Sequence, residues 1–284
     1  MNPVQAIIQR NIRKYLRSKS RVFGTLIMSI FMVVMFSFLM KSVMKGIDTP
    51  MNYLIAGVVI MSVFQTSINN SSDILTDIAS GYLKEVLVAP VSRTQIAAGQ
   101  IISSAIISTI QGLVTLIAGL FLGLHVTVIQ IILLVCIMFI SAVSFSAIGL
   151  FLAVVSRNSP SFQTMSSMIT MPLTFVSGAY IPTTIMPAFL MPVVYLNPLT
   201  YTTSAFRYVA LHDTTMTQAE LVAQGMAFKL GNFIVTPAMG LGITILIGAF
   251  FLWLCVKKFD QADFSSIKVS KGRPGGFQRE NQGG

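Results

Sequence analysis

The sequence predicts an all-α membrane protein with six transmembrane helices, and three observations carry that prediction. Of its 284 residues, 54% are hydrophobic and only 10% charged, whereas a soluble domain carries about 25% charged. The uncharged runs are each at least about 18 residues long, enough to cross the hydrocarbon core as helices. Most of the basic residues stand at the two ends of this apolar body rather than within it. The six spans fall at residues 22–40, 51–69, 96–123, 126–155, 161–181 and 233–256.

In chain order, the first element is a basic arm, residues 1–21. It holds Arg10, Arg13, Lys14, Arg17, Lys19 and Arg21 and no acid, while Ile7, Ile8, Ile12, Leu16 and, just beyond it, Phe23 recur at helical spacing. That pattern predicts an amphipathic helix on the inner leaflet, in contact with membrane lipids. The arm is too long before its first apolar run, and lacks a small-residue cleavage site after it, to read as a cleaved signal.

The connection after the second span, SSDILTDIASGYLKEVLVAPVSRTQI at residues 71–96, is too long for a turn. Ile74, Leu75, Ile78, Tyr82, Leu83 and Val86 fall on one helical face, with Asp73, Asp77, Ser80, Lys84 and Glu85 around the rest. Asp73 is the expected N-cap, and Ala89-Pro90 is the expected stop. This predicts a short amphipathic helix between two spans, able to float on lipid or to dock a partner.

Beyond the fourth span the chain becomes irregular. Residues 171–207 carry Pro172, Pro182, Pro187, Pro192 and Pro198 in an apolar setting. Proline removes a helical hydrogen bond, and broken backbone at membrane depth survives only against protein or a watery cavity. The sixth span follows, and the membrane body, residues 22–258, gives way to a polar tail at 259–284 expected to lack a packed core. Lys84, Arg93, Arg157 and the basic arm and tail fall on one side, against Lys41, Lys45, Arg207 and Lys229 on the other. The excess of positive charge places both termini in the cytoplasm and the protein in the plasma membrane.

Absences narrow the function. The predicted spans contain no Asp, Glu, Lys, Arg or His, which removes the usual proton relays of ion-coupled transporters. The histidines, His125 and His212, lie at loop ends, away from any serine in a hydrolase motif. No GxxxxGK[ST] phosphate loop occurs, and Cys136 and Cys255 have no metal spacing. Positive-inside placement explains the basic charge without nucleic acid. The chain reads as a translocation path whose energy comes from elsewhere, not as an enzyme.

Two motifs add a resemblance. LVAPVSR at residues 87–93 heads the third span, and FVSG at 175–178 is followed by Pro182, Pro187, NPLTY at 197–201 and Arg207. In this order, within six spans, they resemble the type-2 ABC exporter permeases over roughly residues 5–258, most closely the daunorubicin/doxorubicin-resistance branch. The resemblance implies a connecting helix before the first span and a coupling helix using Asp77, Gly81, Tyr82, Lys84 and Glu85. It also implies a re-entrant hairpin or outer gate built on Gly178, Pro182, Pro187, Asn197, Pro198, Tyr201 and Arg207. Two copies of a cytosolic ABC ATPase would hold ATP and Mg, with no cofactor on this chain, and a second permease chain, identical or related, would complete the path.

In that family the second and fifth spans line the path. Here they offer Gln65, Thr66 and Asn69, and Met165, Met168, Pro172 and Phe175. Thioethers and rings suit a hydrophobic small-molecule cargo, drug-like or antibiotic. Export of a lipid or lipid-linked glycan by the same architecture is the alternative, and an ATPase-independent channel or secondary transporter a second.

Overall fold

The central element is a helix buried along most of its length. It is α3 (Pro50–Asn70), along which Tyr53–Ala56 and Val58–Phe64 are buried in an almost unbroken run. The computed structural model describes residues 3–40, 50–82, 91–156, 158–181, 183, 186–211, 216–230 and 233–261. Around α3 stand α1 (Pro3–Arg17), α2 (Lys19–Met40), α4 (Asp73–Ala79), α5 (Arg93–Phe121), α6 (Val128–Val155) and α7 (Ser159–Val176). A 3-10 turn, Ala188–Leu190, leads into α8 (Met191–Leu196) and α9 (Pro198–Leu211). Then come α10 (Gln218–Ala223), an antiparallel hairpin of β1 (Phe228–Leu230) and β2 (Phe233–Val235), and α11 (Pro237–Gln261).

Local sequence sets the helix starts. Ser92 caps α5: its hydroxyl accepts from the Gln95 amide, and Gln95 returns the bond to the Ser92 N–H at 3.0 Å. Thr127 and Gln130 do the same for α6, and Thr217 and Glu220 for α10. Each reciprocal cap satisfies two N–H groups that a helix end leaves open. Asn158 caps α7 just before Pro160. Pro172 sits inside α7 and offers no N–H to the preceding turn.

Among the described residues four helical segments are long and apolar enough to cross a membrane: Asn52–Ala79, Arg93–Phe121, Val128–Val155 and Pro237–Lys258. They correspond to the second, third, fourth and sixth predicted spans, and the protein is a multi-pass membrane protein. The first predicted span is helical as α2, with a shorter apolar stretch at Val22–Met32. The fifth is helical as α7, but its serines, threonines and Gln163 keep it below that standard.

Two expectations need correction. Residues 233–235, placed at the head of the sixth span, form β2, and the helix starts at Pro237, where a missing N–H costs nothing. The fold is therefore helical apart from this hairpin. The N-cap of α4 is Ser72, with Asp73 its first residue, and α4 ends at Ala79 before Gly81 turns to φ +81°. On α1, Ile7, Asn11 and Tyr15 pack inward, while Leu16, and Phe23 on α2, stay exposed.

Serines stitch the helices where small side chains let backbones approach. Ser104 on α5 donates to the Ser67 carbonyl on α3 at 3.1 Å, and Ser146 on α6 donates to Ser104 at 2.9 Å. Phe64 and Phe145 meet edge to face with ring centroids 4.8 Å apart.

Candidate functional site

The two ends of α3 carry different chemistry, and two hollows lie beside α3 between them. At its C-terminal end, α1, α4 and α5 meet through charge. Arg10 grips Asp77 with two hydrogen bonds of 2.7 and 2.6 Å, and one helical turn along, Lys14 pairs with Asp73 at 3.3 Å. Residues four apart share a helix face, so the two pairs form a ladder between α1 and α4. Asn11 extends it into α5, donating to Gln100 at 2.8 Å and Ser103 at 2.9 Å, and Gln100 reaches Asp77 at 3.4 Å. The hydrogen bonds with Asp77 raise the Arg10 pKa, outweighing the opposing effect of burial.

Of the residues predicted to couple to a partner, Asp77 therefore faces inward, only 2% exposed. Tyr82 is half-buried, with the Arg10 guanidinium carbon 3.8 Å from its ring centre. Gly81 is the left-handed break between them. Lys84 and Glu85 lie outside the described residues.

Along α3 a cavity of about 430 Å³ opens between α2, α3 and α7, with Gln65, Thr66 and Asn69 in its wall. Asn70, Ser72 and Gln163 join them. A second hollow of about 150 Å³, lined by Met28, Met32, Val58, Met61 and Tyr180, shares Met28 and Gln65 with the first. Met165 does not reach either hollow: it packs toward α6, its sulfur 3.6 Å from the Ser156 hydroxyl. Met165 thus lies on the inner side of α7, and Met168, Pro172 and Phe175 on the outer, exposed side.

At the N-terminal end of α3 lies Arg207, the largest fully buried side chain. Its Nη2 donates to the Ala179 carbonyl at 2.8 Å, its Nε to the Tyr53 carbonyl at 3.4 Å, and its guanidinium carbon lies 3.4 Å from the centre of the Tyr53 ring. Tyr53 donates to the Gly178 carbonyl at 3.0 Å. Among the described residues no carboxylate stands within ion-pair distance of Arg207. Carbonyl dipoles and a ring face hold the cation, and it ties α3 and α9 to the turn after α7. Gly178 adopts φ +81° in that turn.

The proline-rich segment is ordered by polar groups. Asn197 breaks the chain between α8 and α9, accepting from the Leu199 N–H at 3.0 Å and donating to the Leu173 carbonyl at 2.7 Å. Pro198 is the first residue of α9. Tyr201 donates to the Tyr195 carbonyl at 2.6 Å, and its ring meets Phe228 edge-on at 6.1 Å. Pro187 is exposed ahead of the 3-10 turn, and Pro182 lies outside the described residues.

Arg10, Asn11, Lys14, Gln100, Asn70, Gln163 and Tyr53 were not singled out by the sequence. The matching four-residue spacings of Arg10/Lys14 and Asp73/Asp77 were the one available signal. Nothing local marked the rest.

Residues 2–211 match the model of the family described as "ABC-2 type transporter". The chain is similar to a transport permease, ycf38, of Cyanophora paradoxa, at 26% identity over 69% of this chain and 66% of that protein. It is also similar to the ycf38 transport permease of Porphyra purpurea, at 24% identity over 81% and 82%. The inner membrane transport permease YadH of Escherichia coli K12 is 27% identical over 56% of this chain and 62% of its own length. The match spans just under two thirds of the Cyanophora and Escherichia proteins.

Proposed function

The chain belongs to the ABC-2 type transporter family, and from that premise we propose that it is the permease of an ATP-driven exporter. It supplies half of a path through the membrane for a hydrophobic or amphipathic, drug-like cargo. The energy comes from two copies of a separate cytosolic ATPase, which hold ATP and Mg, and a second permease chain, identical or related, completes the path. Residues 22–258 form the transmembrane domain, preceded by the connecting helix and followed by a cytoplasmic tail, with both termini inside. The LVAPVSR and NPLTY segments favour the daunorubicin-resistance branch.

The observation that carries this reading is the ladder Arg10–Asp77 and Lys14–Asp73. A helix that receives force must not slide on its support. Here α4 is pinned to α1, and through Asn11 and Gln100 to α5, so a push on the segment after α4 moves the body of the bundle. Gly81, Tyr82, Lys84 and Glu85 are the proposed contacts to the ATPase, while Asp77 anchors α4 from behind. At the other end, α8 and α9 with their break at Asn197 form the re-entrant gate, braced by Arg207.

Co-purification tests this. The chain is expressed with its chromosomal neighbours and isolated, and the eluate is assayed for ATP hydrolysis across antibiotics, lipids and glycan precursors. A stoichiometric ATPase stimulated by an amphipathic drug is the expected result. A stable preparation that brings down no ATPase overturns the exporter reading in favour of a channel.

A further inference from the structure

We infer that the gap between α2, α3 and α7 binds an uncharged, hydrogen-bonding headgroup carried on an apolar body. This deepens the exporter reading, and rests on it, by naming the chemistry of the cargo.

The larger hollow is walled by Gln65, Thr66, Asn69, Asn70, Ser72 and Gln163. None of its lining residues is ionisable at neutral pH. The ionisable neighbours in sequence, Lys14 and Asp73, neutralise each other at 3.3 Å. An ion entering here would lose hydration with no counter-charge to replace it, a cost of several kcal/mol. A carboxamide wall instead offers donors and acceptors together, which suits hydroxyl and carbonyl groups.

Asn70 points to a ligand independently. It is 6% exposed, and its Nδ2 meets no acceptor among the described residues. A buried donor without a partner is costly, and a turn of the Asn70 amide toward an acceptor on a bound headgroup would relieve it. Gln65, Asn69 and Gln163 bring exposed amides to the same wall, open to a bound group. The adjoining hollow, with Met28, Met32, Met61 and Val58, is adaptable apolar surface. The shared residues Met28 and Gln65 make the two hollows one polar-to-apolar sequence.

The full chain in lipid nanodiscs is titrated with three eight-carbon amphiphiles below micelle formation: octyl glucoside, octylammonium and octanoate. Octyl glucoside is expected to bind at least about tenfold more tightly than either ion, a difference of about 1.4 kcal/mol. Asn70→Leu and Gln163→Leu should each weaken it by about tenfold and leave the ions unaffected. Gln163 is exposed, so its variant stays informative if Asn70→Leu fails to fold. A charged probe that binds as tightly, or no binding by any probe because lipid or a second copy fills the gap, overturns the inference. Competition by glucosyl diacylglycerol in the disc assigns the headgroup to a membrane lipid, and its absence to a soluble amphiphile. No ATPase takes part, so failure here leaves the exporter test intact, and failure there leaves this binding result standing.

Discussion

Arg10 and Asp77 lie 67 residues apart and meet through two charge-assisted hydrogen bonds of 2.7 and 2.6 Å. The carboxylate is almost wholly buried and the guanidinium side chain about one-third exposed. Removing the base leaves a buried anion without its partner, which costs far more than a surface pair is worth. Partial exposure of Arg10 tempers this, so Arg10→Ala should cost about 2 kcal/mol. Thermal unfolding of the purified protein measures it. The exchange Arg10→Asp with Asp77→Arg should recover part of the loss, and a double variant no better than the worse single one refutes a direct pair.

A pH-dependent element lies elsewhere. The Glu220 carboxylate is held below its ordinary pKa, first by the backbone N–H of Thr217 and then by the Thr217 hydroxyl. A depressed carboxylate stabilises the fold above its unfolded pKa of about 4.3. That contribution disappears as pH falls through the lower, folded value. Hydrogen exchange across α10, corrected for intrinsic rate, should therefore speed up below about pH 4, and in Glu220→Gln this pH-dependent step should be absent. Equal protection at pH 3 and pH 7 would contradict the cap's role.

The long helices were legible because an apolar run of spanning length has few other solutions. The start of α5 was legible too, although Ser92 of LVAPVSR turned out to be a helix cap. The inward turn of Asp77 was not legible. A carboxylate on a short amphipathic helix is ordinarily solvated, and its partners, Arg10 on α1 and Gln100 on α5, are distant in sequence. The inward face of α1 was no more legible: Asn11 and Tyr15 are buried with hydrogen bonds to Gln100, Ser103 and Gln111. Asn70 and Gln163 meet only in three dimensions, on helices whose spacing carries no record of the gap between them.

Two glycines separate steric contact from backbone strain. A Cβ on Gly57 would overlap the Ala179 carbonyl oxygen and come within 3.0 Å of Arg207 Nη2. A Cβ on Gly81 would meet nothing within 4 Å, but there φ is +81°. Gly57→Ala should therefore cost about 2–3 kcal/mol by forcing α3 away from the turn after α7. Gly81→Ala should cost about 1 kcal/mol from the left-handed backbone alone. Unfolding midpoints measure both, and a Gly57→Ala protein as stable as the parent would mean that α3 and the turn are not in close contact.

Arg207 is held by groups that lack formal charge, and that makes its replacement diagnostic. Tyr53→Phe removes the hydroxyl that bonds both the Gly178 carbonyl and the Arg207 side chain, and keeps the ring under the guanidinium; it should cost about 1–2 kcal/mol. Arg207→Ala strands the Ala179 and Tyr53 carbonyl contacts and opens a void in the fully buried site, so it should cost about 3 kcal/mol or more. Arg207→Lys keeps the charge but not the planar fork that reaches two carbonyls and stacks on a ring, and it should behave closer to alanine than to arginine. Thermal unfolding ranks the three variants. If lysine restored parental stability, charge alone would be holding α3 and α9 to the turn. The expected failure of lysine instead assigns the brace to guanidinium geometry.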